Sequence, residues 1–205
     1  ITGNYSVNSP KVIIFGGTGF LGRYVVQRLA RQGWIINVIT RNPSEAIFLK
    51  TLGHVGQINL VKGNFLNFED LREKILDSYA IVNCVGILNE SSSQNFKTLH
   101  TDVPSKLAEY ASELGVEKFI HISSIGADIE SDSKYQQSKG LGEQNIQKSY
   151  PNTIIIRPSI VFGPGDGFFS VQAKLLKSLP VIPLFANNKY QCVYVKDIAT
   201  AINRL

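Results

Sequence analysis

The 205 residues contain no methionine, and the chain opens on Ile1. We therefore expect a processed chain or a fragment, and the lack of a signal peptide carries no weight. Cysteine is nearly absent: only Cys84 and Cys192, each in an apolar, strand-like stretch. Two such residues supply neither a disulfide framework nor a metal-ligand spacing. They read as buried free thiols of a reducing compartment. No apolar run is long enough to span a bilayer. No run of Lys and Arg with interleaved aromatics occurs, so the footprint of a nucleic-acid binder is missing. Low complexity is confined to Ser91–Ser93. We find no internal repeat and no linker that would separate two independent domains.

What is present suffices for one large domain with a substantial core: 43% of the residues are hydrophobic and 18% charged. The net charge of +5, with a pI near 9.2, suits an anionic cofactor or an acidic surface.

The most informative stretch is KVIIFGGTGFLGR, Lys11 to Arg23. Four apolar residues enter a glycine cluster, and an amphipathic run begins at Phe20. Gly16, Gly19 and Gly22 lie three residues apart. One lets the turn form, one lets backbone approach a pyrophosphate, and one lets the helix pack on the strand. The helix start also offers free N–H groups and the positive end of its dipole. We expect Gly16, Thr18, Gly19, Phe20, Leu21 and Gly22 to hold a dinucleotide. The alternative is a tight strand–helix turn without a ligand.

Periodicity extends this start into an alternating pattern. It predicts strands at Lys11–Phe15, Trp34–Thr40, Ile58–Lys62, Ala80–Val85, Lys118–Ile122 and Thr153–Arg157. It predicts helices at Phe20–Gln32, Ser44–Leu52 (capped by Ser44), Phe68–Leu76, Asn95–Leu114 and Lys134–Ser149. After Pro158 the pattern loosens into Gly163–Gly167, a helix near Phe168–Leu179, a strand around Gln191–Val195 and a helix from Asp197. The fold class is α/β, a Rossmann-like doubly wound parallel sheet with helices on both faces. We expect residues 1–10 to form a loose leader and 11–160 the nucleotide-binding domain. Residues 161–205 begin a small, incomplete C-terminal lobe intertwined with it.

Strand ends carry the chemistry. The second strand ends Ile39-Thr40-Arg41, with no carboxylate to hold a ribose 2′-hydroxyl. A guanidinium there grips a 2′-phosphate, so Arg41 favours NADP(H), with NAD(H) as the alternative. Arg23 adds charge or is merely solvated. At the third strand end Asn64 and Phe65 are placed for the adenine; Asn also suits a plain turn. At the fourth, Val85 and Gly86 let the dinucleotide pass close to the backbone.

The fifth strand ends in Ser123-Ser124, and Tyr135 and Lys139 follow at i,i+4 on a helix. An ammonium beside a phenol stabilises phenolate, so Tyr135 can exchange a proton near neutral pH. Lys139 can also bond a nicotinamide ribose, and Ser124 or Ser123 a substrate oxygen. A Tyr–Lys pair at this spacing also arises on any solvated helix face. Its position behind a strand-end serine favours a reactive site of Ser124, Tyr135 and Lys139. His54 and His100 read as structural, and His121 as packed within a strand. No metal site is expected.

GGTGFLG, Ser123-Ser124, Tyr135-x-x-x-Lys139 and Arg157-Pro158-Ser159 resemble the extended or atypical short-chain dehydrogenase/reductases. IVNCVGIL, FIHISSIGAD, SKYQQSKGLGE, RPSIVFGPGDGFF and VYVKDIATAI are similar to one branch, the nucleotide-binding accessory subunit of respiratory complex I (NADH:ubiquinone oxidoreductase) and its bacterial relatives. The resemblance runs from Lys11 to Ile202. It implies NADP(H) held for structure or regulation, complex I subunits as partners, and a place on the matrix side of a mitochondrial membrane or the cytoplasmic side of a bacterial one. The wider family implies a different reading: a free oxidoreductase, epimerase or dehydratase acting on a sugar nucleotide or another carbonyl substrate. A nucleotide-sensing regulator is a third. Two departures stand out. Asn64 lies where many relatives carry Asp, and relatives continue past Leu205.

Overall fold

The computed structural model describes residues 10–178 and 189–204. Residues 1–9 of the expected leader (1–10) and the predicted helix end at Leu179 lie outside them. The chain begins β1 (Lys11–Phe15), α1 (Phe20–Ala30), β2 (Ile35–Thr40), a 3₁₀ turn (Ile47–Leu52) and β3 (Ile58–Lys62). It continues α2 (Phe68–Ile75), β4 (Ala80–Asn83), a π-helical turn (Lys97–Asp102) running into α3 (Val103–Glu113), and β5 (Lys118–Ile122). Then follow α4 (Lys134–Ser149), β6 (Ile154–Ile156), β7 (Val161–Phe162), α5 (Phe169–Ser178), β8 (Val193–Tyr194) and α6 (Val195–Arg204).

Six strands form one parallel sheet in the order β3-β2-β1-β4-β5-β6, and β7 pairs with β8 in a parallel ribbon. This is the doubly wound sheet the alternation implied. Alternate residues of β1 explain why the run is continuously apolar. Val12 and Ile14 pack with Val25, Val26 and Leu29 of α1 on one face. Ile13 and Phe15 pack with Leu71 and Ile75 of α2 and Leu107 of α3 on the other. Each such side chain contributes about 1.5–3 kcal/mol when fully buried. Helix α6 returns to the first face, where Ile198, Ala199 and Ile202 join the core around α1.

Several expected boundaries move. Helix α1 stops at Ala30, and Gly33 closes the turn with φ +86°. Ser44 caps nothing: the segment after Pro43 makes a 3₁₀ turn that begins behind Ala46. The fourth strand ends at Asn83, because the Asn83 side chain accepts from the Val85 N–H at 3.0 Å and bends the rim. The edge strand β6 is shorter than predicted, and α6 starts at Val195 instead of Asp197. The largest correction concerns the single helix expected from Asn95 to Leu114. Pro104, near the start of α3, has no N–H for the carbonyl of His100 four residues earlier. The backbone widens into a π turn just there. Both cysteines are free, but intermediate in exposure instead of fully buried.

Candidate functional site

In an open parallel sheet, ligands bind at the carboxyl ends of strands where the strand order reverses. Here that point lies between β1 and β4. A cavity of about 300 Å³ opens there, lined among others by Gly16, Thr18, Gly19, Arg41, Asn64, Phe65, Val85 and Gly86. Eight predicted cofactor residues, contributed after four different strands, thus share one cavity. A second cavity of about 280 Å³, lined by Trp34, Tyr79 and the C-terminal end of α6, collects none of them.

The glycine turn keeps its backbone bare at the cavity. Gly16 adopts φ +75°, and a Cβ on it would meet the Cys84 carbonyl carbon at 2.8 Å. The Gly19 N–H donates to the Gly16 carbonyl at 3.0 Å. No side chain caps α1 and no acidic residue stands in its first turn. Its amides and dipole are therefore left for an anion. Phe20, Leu21 and Gly22 are not among the cavity-lining residues. The Phe20 ring lies edge-on to Tyr24, and Leu21 packs against the core. Gly22 serves packing: a Cβ there would lie 2.1 Å from the Gly16 oxygen.

Arg23 turns away from the role of an added charge. Its guanidinium donates to the Pro164 and Gly165 carbonyls at 3.0 and 3.2 Å, and the Tyr24 hydroxyl to Pro164 at 2.8 Å. The pair pins the Gly163–Gly167 segment onto α1. Asp166 accepts there from the N–H groups of Phe168, Phe169 and Ser170, capping α5. Asn64 turns its carbonyl oxygen back to the Leu66 N–H at 3.1 Å, leaving its amide N–H₂ for a ligand.

The predicted reactive residues do not line this cavity, though Lys139 lies just behind its wall. The Lys139 ammonium, 3% exposed, donates to the Ile122 carbonyl at 3.3 Å. It lies 3.2 Å from where a Cβ of Gly86 would be, so the missing side chain opens it toward the cavity wall. Burial pulls its pKa down to about 8, against the pull of Glu143 and Cys84. Desolvation holds the Cys84 thiol up at about 12. Glu143 is itself buried and paired with Arg157.

The Ser123 and Ser124 hydroxyls are buried without a hydrogen-bond partner among the described residues. Tyr135 lies edge-on to Phe96 and His100, with ring centroids 5.7 and 5.3 Å away. Neither Tyr135 nor Ser124 is bonded to Lys139. His121 is fully buried within β5, with Nδ1 beside the Asn83 amide at 3.1 Å. The sequence reading passed over Ser93, Gln94, Asn95 and Thr98, which form a polar wall of the cavity. The Glu90 carboxylate accepts from the Phe96 N–H and Asn95 caps Thr98, which fixes that wall; the Asn-x-x-Thr cap was its one sequence signal.

Among the described residues no group of His, Cys, Asp and Glu is placed to hold a metal ion, and no helix is long and apolar enough to cross a membrane.

Known proteins resemble the chain in both sequence and fold. It is 32% identical over 203 residues to the mouse mitochondrial protein "NADH dehydrogenase [ubiquinone] 1 alpha subcomplex subunit 9", covering 98% of this chain and 54% of that one. It is 29% identical over 196 residues to a ceramide reductase of Caulobacter vibrioides, covering 93% and 59%. The chain thus spans little more than half the length of these relatives. The Bordetella bronchiseptica enzyme WbmH, solved in complex with NAD+, superposes with a TM-score of 0.77 at 18% identity over 96% of this chain and 72% of that one, a likeness of fold. The sequence profile of the NAD dependent epimerase/dehydratase family matches residues 12–205. With a parallel six-stranded sheet and a glycine turn at its switch point, the chain belongs to that family.

Proposed function

We propose that the chain holds NADP(H) across the carboxyl ends of β1 to β4, as an accessory part of a respiratory NADH:ubiquinone oxidoreductase, for structure or regulation. The observation that carries the dinucleotide is the single cavity shared by the glycine turn, Arg41, Asn64 and Gly86. The pyrophosphate lies on Gly16 to Gly22. The adenosine half extends toward Arg41, Asn64 and Phe65, and the nicotinamide half passes Val85 and Gly86 toward Tyr135 and Lys139. Preference for the 2′-phosphate rests on Arg41, exposed at the cavity edge with no acidic residue at the end of β2. The assembly rests on the mouse relative, named as a subunit of that complex. We propose with it a place on the mitochondrial matrix side, or on the cytoplasmic side of a bacterial inner membrane.

Titration with NADPH and NADH tests the nucleotide. NADPH should bind more tightly, and Arg41→Ala should weaken NADPH about tenfold more than NADH, the scale of one charge-assisted contact. Equal affinities, or tighter NADH, would overturn the preference. Copurification with the respiratory complex from native membranes tests the assembly.

A second reading is an oxidoreductase in its own right, acting on a carbonyl substrate. It is favoured by the unpartnered Ser123 and Ser124 hydroxyls and the buried Lys139 ammonium. In that case Ser124 holds the substrate oxygen, Tyr135 exchanges its proton, and Lys139 lowers the cost of the phenolate. The cofactor, when bound, supplies the hydride. NADPH oxidation that depends on a defined carbonyl, and is lost in Tyr135→Phe, would establish it.

A further inference from the structure

His100 is fully buried, at the centre of the π turn. Its Nε2 accepts from the Ile87 N–H at 3.1 Å. Nε2 is therefore bare, so in the neutral ring the proton sits on Nδ1, 3.0 Å from Ser138 Oγ. The Ser138 hydroxyl in turn donates to the Tyr135 carbonyl at 2.8 Å, and Thr101 Oγ1 donates to the Ser138 carbonyl at 3.0 Å. The imidazole also stacks on Phe96, with centroids 5.2 Å apart and planes 19° apart, and meets the edge of Tyr135.

One ring therefore touches two bodies. The first is the segment after β4, with Val85, Gly86 and Ile87 in the cavity wall. The second is α4, with Tyr135 and Lys139. The packing leaves no slack between them: a Cβ on Gly142 of α4 would lie 2.0 Å from the His100 carbonyl oxygen. That is the carbonyl that Pro104 leaves without its helical donor. The π turn thus does two things: it lets α4 approach, and it aims the imidazole back at the strand-end rim.

We propose that His100 is a positioning residue, a neutral two-sided latch that fixes the cavity wall at Val85–Ile87 in register with the helix that carries Tyr135 and Lys139. The proposal rests on the dinucleotide reading for its consequence, but not for its existence. Burial, reinforced by the nearby Lys139 ammonium, pushes the His100 pKa down to about 3. The ring thus stays neutral, and the latch closed, through the physiological range. The two nitrogens have different jobs. Nε2 holds the wall, and Nδ1 holds the helix through Ser138.

Three replacements separate these jobs. His100→Gln reaches as far as Nε2 and keeps an acceptor for Ile87. His100→Asn reaches only as far as Nδ1 and keeps a donor for Ser138. His100→Phe keeps the stack on Phe96 and loses both bonds. Amide hydrogen exchange at Ile87 in the unliganded protein reads the latch directly. We expect exchange at least about tenfold faster in His100→Asn and His100→Phe, and near the wild-type rate in His100→Gln.

NADPH and NADH affinity should follow the same order, weakened about tenfold in His100→Asn and His100→Phe and largely restored in His100→Gln. Global melting would not follow this pattern, since all three variants change the packing around the π turn. If His100→Phe fails to fold, Ser138→Ala breaks only the helix side; like His100→Gln, it should leave Ile87 protected and nucleotide affinity largely intact. Unchanged Ile87 protection in folded His100→Asn and His100→Phe overturns the latch, whatever the ligand does. If the wild type binds neither nucleotide, the dinucleotide reading falls while the exchange result still decides the latch.

Discussion

Gly22→Ala tests the glycine turn most directly. The new Cβ would lie 2.1 Å from the Gly16 carbonyl oxygen, 2.7 Å from the Gly17 Cα and 2.8 Å from the Gly16 carbonyl carbon. All three are backbone atoms, so no rotamer change relieves the overlap. Ordinary contact begins at 3.4 Å, so α1 and the turn must separate by roughly 1 Å. The amides at the start of α1 move by the same distance. A hydrogen bond of about 2.9 Å stretched that far is no longer one. Losing two such bonds to a phosphate, at about 1.5–3 kcal/mol each, weakens binding by roughly 100-fold or more. Overpacking separately costs about 1–3 kcal/mol of stability. Calorimetric titration with NADPH, paired with urea melts, separates the two effects. Gly167→Ala is the control, because nothing lies within 4 Å of a Cβ there and its φ is ordinary. A folded Gly22→Ala protein that binds within threefold of wild type would refute the cradle.

Two further outcomes follow from the site's neighbours. Lys139 has its pKa pulled from 10.5 to about 8 by burial. Below pH 8 the folded state carries the whole cost of the buried ammonium. From 8 to 10.5 the unfolded chain holds a proton the folded chain has released, so stability rises with pH across that window. Lys139→Met should therefore be the more stable protein by up to about 3 kcal/mol at pH 7, with the gain gone near pH 10; urea melts at four pH values would expose a flat difference. Arg23→Ala should leave the ratio of NADPH to NADH affinity unchanged while speeding amide exchange in Gly163–Phe169. A changed ratio would return Arg23 to the phosphate site.

Which features were legible in sequence depends on the range of the force that makes them. Strands β1, β3 and β5 and helix α4 have the bounds the pattern predicts. A strand covered on both faces must be apolar throughout, and a helix must bury one stripe. The strand-end residues were legible for the same reason: once the strands are in order, Arg41, Asn64 and Gly86 must lie along one edge. What escaped depends on partners far away in the chain. Arg23, next to the glycine turn, read as either an added charge or a solvated side chain, yet its partners, Pro164 and Gly165, lie 141 and 142 residues on. His100 looked merely structural, because nothing local says that its ring reaches Ile87 and Ser138. Pro104 was visible, but a proline in a first turn normally starts a helix. Here it follows a turn that is already helical and widens it.

The binding and turnover readings meet in the two serine hydroxyls. An unpartnered buried hydroxyl costs about 1–3 kcal/mol, and Ser123 and Ser124 each carry one. Both follow directly on Ile122, whose carbonyl takes the Lys139 ammonium. That cost is relieved if a ligand atom reaches them, whether from the nicotinamide end of a held dinucleotide or from the oxygen of a substrate. Either ligand, to reach Lys139 from the cavity, meets the wall at one point. Gly86 is that point, because its missing Cβ leaves the ammonium 3.2 Å behind the surface. A side chain there would close the wall over the Lys139 ammonium under both readings. A ligand that stops at the pyrophosphate would leave the two serine hydroxyls unpartnered. The reach of the bound molecule past Gly86, more than the presence of Ser124, Tyr135 and Lys139, therefore separates a cradle that only grips phosphate from a site that engages the nicotinamide.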